Sequence, residues 1–207
     1  MTLAFKNVSL LTFAQLINAL VPFLFVPFYS RIFDAENFSL VMVSVSIIQL
    51  STVITDFGFN ISAVEKITQA KSKGDLSKII SGIYLSRLSI FILFSIPWLF
   101  FIFLDPLDNR FFLIILTAAI FFQVFQAQWL FLGLRKPEYI IYYSVASRII
   151  FALLILYYVR DNSTVYFVAV AFAVSALTGS LVCICLILKD GYRIHISSFN
   201  YTKGLIF

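Results

Sequence analysis

Asp56, Arg87 and Arg148 stand inside stretches that are otherwise apolar, and their types set what chemistry the chain could perform. One carboxylate neutralises one guanidinium, so the trio carries an excess of positive charge. Guanidinium forks bind phosphate oxygens through two parallel hydrogen bonds, which points to an anionic, phosphorylated ligand. Gln49, Thr52, Asp56 and Asn60 recur at helical spacing and form a polar stripe on an apolar helix, a face that turns away from lipid. Gln15 and Asn18 share a face of an earlier segment.

The composition says what kind of element must position these groups. The chain has 207 residues, 61% hydrophobic and 12% charged, with 25 Phe and a mean hydropathy of +1.00. A soluble domain is about 25% charged. A membrane span needs about 20 predominantly apolar residues, and such stretches run almost end to end. The expected fold is all-α, a polytopic membrane protein with six spans at roughly 9–30, 38–63, 79–104, 111–132, 140–159 and 164–188. The first is too long for the apolar core of a signal peptide, and Tyr29-Ser30-Arg31 follows it instead of a small-residue cleavage site.

Lys and Arg fall mostly on one side of these spans. Lys6, Lys66, Lys71, Lys73, Lys78, Arg135, Lys136, Lys189, Arg193 and Lys203 share that side, against Arg31, Arg110 and Arg160 on the other. The positive-inside rule makes the first side cytoplasmic, with the N-terminus inside. The same placement argues against nucleic acid as a partner, since the basic residues lie between spans. The connections are too short for a catalytic domain, and no phosphate-binding glycine loop, metal-ligand cluster or nucleophile elbow occurs, so an enzyme is not expected.

With these bounds, Asp56, Arg87 and Arg148 each sit seven or eight residues from the cytoplasmic end of a span, roughly 10–12 Å below the surface. An arginine at the centre of a span costs about 2.5–3.5 kcal/mol on insertion scales, so both must face a partner or water. Arg87 has two readings: a lock paired with Asp56, or a ligand for the anion. Arg148 has no second acid at its depth.

Smaller features carry expectations of their own. Pro22 and Pro27 mark a bent first helix, and Gly58 a close approach or the end of the second. Trp129 is placed to anchor the inner interface. Ala169/Ala173, Ser175/Gly179 and Ala176/Ser180 put small residues four apart for close helix packing. Cys183 and Cys185 have neither disulfide nor zinc spacing, and His195 lacks partner ligands. Asn162-Ser163-Thr164 matches a glycosylation triplet, a pattern that chance often produces.

Three stretches carry a family resemblance: Leu20-Val-Pro22-Phe-Leu-Phe-Val-Pro27-Phe-Tyr-Ser-Arg31, Asp56-Phe-Gly58-Phe-Asn60-Ile-Ser-Ala63, and Trp129-Leu-Phe-Leu-Gly133 before a basic turn. The chain resembles the Wzx-type O-antigen flippases, in the polysaccharide transporter branch of the multidrug/oligosaccharidyl-lipid/polysaccharide exporter superfamily. The resemblance implies a bacterial inner-membrane protein that moves undecaprenyl-pyrophosphate-linked oligosaccharide by alternating access between two six-helix lobes around a cationic cavity. Arg87, Arg148 and Asp56 would lie in that cavity and Arg31 near its outer mouth. Gln15, Asn18 and Gln49 could meet water or sugar hydroxyls. No cofactor is expected, and Asp56 either holds Arg87 or exchanges a proton or sodium ion. Relatives often have polar or acidic residues where this chain has Leu132, Leu134 and Arg135.

Residues 1–207 would form the N-terminal lobe, the C-terminal lobe being absent, and the run from Asn200 to Phe207 resembles the approach to a further helix. The expected partners are membrane lipid and the lipid-linked oligosaccharide, with other polysaccharide-assembly proteins in reserve. Two rivals stand beside the flippase: a cation-coupled drug antiporter, which should bury excess acid instead of excess base, and a membrane scaffold for polysaccharide assembly.

Overall fold

A computed structural model describes residues 9, 12–13, 16–18, 20–56, 58–70, 72–104 and 109–192. Gln15, Lys6, Lys71, Asp105, Asp108, Arg193, His195, Lys203 and the 200–207 run lie outside the described residues, as does the Asn60 side chain. Among the described residues every regular element is helical. Helices α1 (Val26–Ile32), α2 (Ala35–Asp56), α3 (Phe59–Gln69), α4 (Lys73–Phe103), α5 (Arg110–Gln123), α6 (Gln128–Gly133), α7 (Pro137–Tyr158) and α8 (Tyr166–Lys189) follow in order, with a 3₁₀ turn at Asn162–Thr164. Five stretches are long and apolar enough to cross a membrane, and a shorter apolar one, Leu16–Ile32, precedes them. The chain is a polytopic α-helical membrane protein.

Hydroxyls inside these apolar helices are satisfied locally. Ser44, Ser51, Thr55, Ser81 and Ser86 each donate to the carbonyl four residues back, so these five hydroxyl hydrogens are paired within their own helices.

Three expected spans are interrupted. The chain turns at Phe25, and Pro27 sits in the first turn of α1, where its missing N–H costs nothing. The span foreseen at 38–63 stops at Asp56. Gly58 then takes a left-handed φ of 79°, and nothing lies within 4 Å of where its Cβ would be, so conformation and not crowding requires glycine. Asn60 therefore lies on α3, past the break, and the polar stripe on α2 ends at Asp56. The span foreseen at 111–132 opens at Val124–Ala127 between α5 and α6.

Apolar side chains gather in two separate cores. One, at the end carrying the Asn162 turn, contains Tyr29, Phe33, Val41, Phe112, Phe151 and Phe172. Its rings run on from one another, Phe25 to Phe151 at 5.7 Å and Phe151 to Phe172 at 4.8 Å between centroids. The other, at the end carrying Lys136, contains Phe59, Ile67, Ile80, Trp129, Phe131 and Ile187. Trp129 is 1% exposed and packs edge-on against Tyr84 at 5.7 Å. It is a core residue and not the interfacial anchor its position suggested, because the break at Val124–Ala127 turns α6 inward.

Small residues on α8 work as expected. Ala169, Ser175, Ala176, Gly179 and Ser180 are buried, and α8 packs against both α7 and α5.

Each end is tied across the chain. At one, Asn162 donates from Nδ2 to Asp34 Oδ2 at 2.6 Å, while its Oδ1 accepts from Asp34 N at 3.0 Å and Asn37 Nδ2 at 2.9 Å. The asparagine of the Asn162-Ser163-Thr164 triplet thus joins two turns. At the other end Lys136 Nζ meets Asp190 Oδ2 at 2.6 Å, and Tyr139 donates to Asp190 Oδ1 at 3.3 Å.

The Asp190 hydrogen bond raises the Lys136 pKa above the ordinary lysine value. A raised cation pKa stabilises fully below the unfolded value and ceases to do so as pH climbs through the folded one. Lys136→Met should therefore lower stability by about 0.5 kcal/mol at pH 7, as suits a half-exposed pair. Thermal melts in detergent should show that difference shrinking above about pH 10.5; a difference independent of pH would exclude the pair as its source.

Candidate functional site: a polar belt between the two cores

Between the cores lies a belt built from α2, α4, the α5–α6 break, α7 and the first apolar stretch. It encloses two adjoining cavities of about 260 and 210 Å³. Both are lined by Asn18, Thr52, Gln123, Gln126, Tyr143 and Arg148. Gln49, Ser144, Ser147 and Ser175 add to the larger cavity, and Asp56, Arg87 and Gln128 to the smaller.

The two arginines live differently. Arg87 is 2% exposed. Its Nη2 donates to Asp56 Oδ1 at 2.7 Å, and its Nη1 to the backbone carbonyl of Gln126. The Gln123 carbonyl lies 3.5 Å from Nη2. Asp56 is the last residue of α2 and Gln123 the last of α5, so one guanidinium serves two helix C-termini, where orphan carbonyls and the negative dipole end attract a cation. Tyr84 supports the same break, donating to the Phe125 carbonyl at 3.0 Å. Of the two readings for Arg87, the contacts are those of a lock.

Arg148 has no acid. Its Nε donates to Asn18 Oδ1 at 3.1 Å, and Asn18 in turn donates to Ser144 Oγ at 3.1 Å. Among the described residues no carboxylate pairs with it and no hydrogen bond takes its terminal nitrogens. They are left for whatever enters the cavity.

The structure thus brings together Asp56, Arg87, Arg148, Asn18 and Gln49 around one hollow. Asn18 is occupied in orienting Arg148 and Ser144. Arg31 is exposed on α1 and lines neither cavity. Gln123 and Gln126 received no role from the sequence, although Gln-x-x-Gln closing an apolar run was the signal for them. Gln123 Oε1 accepts from Thr52 at 2.8 Å, which ties α2 to α5 across the belt. Among the described residues no group of three or more His, Cys, Asp or Glu could hold a metal ion.

Comparison with known proteins gives the belt its setting. The model of the polysaccharide biosynthesis protein family matches residues 4–206. The chain belongs to that family. Two curated relatives, from Shigella dysenteriae and Escherichia coli K12, both bear the name "Putative O-antigen transporter". The first is 22% identical over 90% of this chain and 48% of its own length; the second is 22% identical over 97% and 49%. This member of the polysaccharide biosynthesis protein family therefore spans about half the length of the curated relatives it matches. No solved structure matches it.

Proposed function

We propose that the chain forms one lobe of an inner-membrane transporter that moves a lipid-linked, pyrophosphate-bearing oligosaccharide across the bilayer by alternating access, the sequence 1–207 supplying the N-terminal lobe. The observation that carries this reading is the uncompensated Arg148 in a hydrated-size polar cavity, with Asp56 already committed to Arg87. Bare phosphate in hydrocarbon is prohibitive, since moving an isolated charge out of water costs tens of kcal/mol in a low-dielectric medium. A guanidinium between two apolar cores substitutes for water while the prenyl tail stays in lipid. The names of the relatives support the substrate class.

Roles divide accordingly. Arg148 takes the anion, Asn18 aims it, and Arg87 with Asp56 holds the floor of the site together. Arg31 stands as an outlying contact along the route, Gln15 keeps the role of meeting water or sugar hydroxyls, and Gln49 lines the cavity. A drug antiporter of the same superfamily would need excess buried acid, whereas Asp56 is the one carboxylate on the cavity walls among the described residues. The Lys73, Lys136 and Asp190 end is the cytoplasmic one in this reading, since Lys73 and Lys136 both converge on Asp190 there.

A hydrogen bond to a charged group contributes about 1.5–3 kcal/mol, or about tenfold or more in affinity. In the producing bacterium Arg148→Ala should cut surface polysaccharide by at least about tenfold, and Arg148→Lys should restore part of it. Wild-type export with Arg148→Ala would overturn the anion assignment.

A further inference from the structure

The Gln126 carboxamide stands in the same cavity as Arg148 and does nothing for the fold. Its backbone carbonyl accepts from Arg87, yet among the described residues no hydrogen bond engages its side chain. A carboxamide carries two donors and an acceptor, so leaving one unmet on a cavity wall assigns its partners to the occupant. The Gln49 side chain, which lines the same cavity from α2, likewise makes no hydrogen bond among the described residues.

Position 179 shows that the Gln126 side chain is given its space. A Cβ on Gly179 would lie 3.0 Å from Gln126 Nε2 and 3.3 Å from Ser147 Cβ. Glycine there lets α8 close on α7, where Ser147 donates to the Ser175 carbonyl at 2.8 Å, without displacing the amide. The small-residue pattern on α8 explains the packing. It does not explain why a polar amide should fill the remaining gap.

We infer that Gln126, with Gln49 in the same cavity, forms a neutral subsite beside Arg148 that reads hydroxyl groups of the sugar portion of the ligand. Its amide can donate to one hydroxyl and accept from the next, as vicinal hydroxyls on a sugar require, and it adds no charge that would compete for the phosphate. This inference rests on the anion role proposed for Arg148, and its test separates the two.

The probes are a prenyl diphosphate and the same molecule carrying one hexose, titrated onto the chain in nanodiscs. Gln126→Ala should weaken the hexose-bearing probe about tenfold, the worth of one or two neutral hydrogen bonds, and leave the bare diphosphate unchanged. Arg148→Ala should weaken both. Gly179→Ala would set a Cβ 3.0 Å from Gln126 Nε2 and 3.3 Å from Ser147 Cβ, so it should displace the amide and lose discrimination between the probes, with its melting temperature reporting separately on the α7–α8 contact. Equal weakening of both probes by Gln126→Ala, or no weakening of either, overturns the subsite. Should Gln126→Ala fold poorly, a folded Gly179→Ala that discriminates like wild type overturns it instead. If Arg148→Ala leaves both probes unaffected while Gln126→Ala abolishes discrimination, the anion role fails and the hydroxyl subsite stands.

Discussion

Arg87→Ala should destabilise the protein by about 3 kcal/mol or more, far beyond the effect of Arg148→Ala, which should stay within about 1 kcal/mol of wild type. The asymmetry follows from what each guanidinium leaves behind. Without Arg87, Asp56 loses its guanidinium while three quarters of its side-chain surface is covered, and the Gln126 carbonyl at the α5–α6 break loses its arginine donor, whereas the Gln123 carbonyl keeps the Gln126 N–H. Water reaches such groups poorly inside a membrane protein, and each unsatisfied one is costly. Removing Arg148 frees only the Asn18 amide, which keeps Ser144.

Arg87→Lys should recover only part of the loss, because one ammonium cannot span a carboxylate and two carbonyls as a fork does. Arg87→Met combined with Asp56→Leu should recover the charge penalty and not the carbonyl penalty. Melting temperatures in mild detergent, read beside size-exclusion profiles, test the whole series. An Arg87→Ala protein as stable as wild type would remove the lock, and with it the reason for assigning the anion to Arg148 alone.

The second large effect is expected at Gly133, the last residue of α6. A Cβ there would fall 2.7 Å from Ile67 Cγ2 and 2.8 Å from Ile67 Cβ. Both atoms are close to the α3 backbone, and isoleucine is stiff at χ1, so no rotation relieves the contact. Gly133→Ala should cost about 1–3 kcal/mol by overpacking, and Gly133→Val more. Ile67→Ala alone should cost about 2–5 kcal/mol for the cavity it opens. The double variant Gly133→Ala with Ile67→Ala should be less damaged than the two costs summed, since each relieves the other. Strict additivity would show that α3 does not rest on α6 in this way.

The two variants also mark where sequence reasoning worked. Apolar run length showed a polytopic helical membrane protein, and the matching depth of Asp56 and Arg87 on either side of one loop left their pairing as one of two readings, the one the contacts bear out. Gly58 announced its own break, since only its backbone freedom is needed there. The break at Val124–Ala127 has no such sign: Val124-Phe125-Gln126-Ala127 contains neither proline nor glycine. Its cause is tertiary, namely Arg87 and Tyr84 collecting carbonyls that a continuous helix would have kept. Trp129 was misplaced for the same reason. Asn18 stood on the right face of its helix, but its partners Ser144 and Arg148 are more than a hundred residues away, and no local pattern pairs them.

Gln123 and Gln126 were visible as residues and silent as to role. Their meaning depends on Thr52, Arg87 and Gly179, which come from three other helices. A polar residue in an apolar run declares that it is needed, and only the fold says by what.

The division into two apolar cores has a mechanical consequence. In a bilayer, parting either core trades close side-chain packing for lipid contact and forfeits the dispersion of its interlocked rings. Helices α4, α7 and α8 run unbroken through both cores, so neither core slides over the other as a block; what yields at mid-height is the polar layer between helices, such as Thr52 to Gln123 and Asn18 to Arg148, contacts that water in the cavities can replace at small net loss. The helices are therefore held to one another least firmly at mid-height, at the level of the charged groups, where they can part or bend while the packed side chains at either end stay in place.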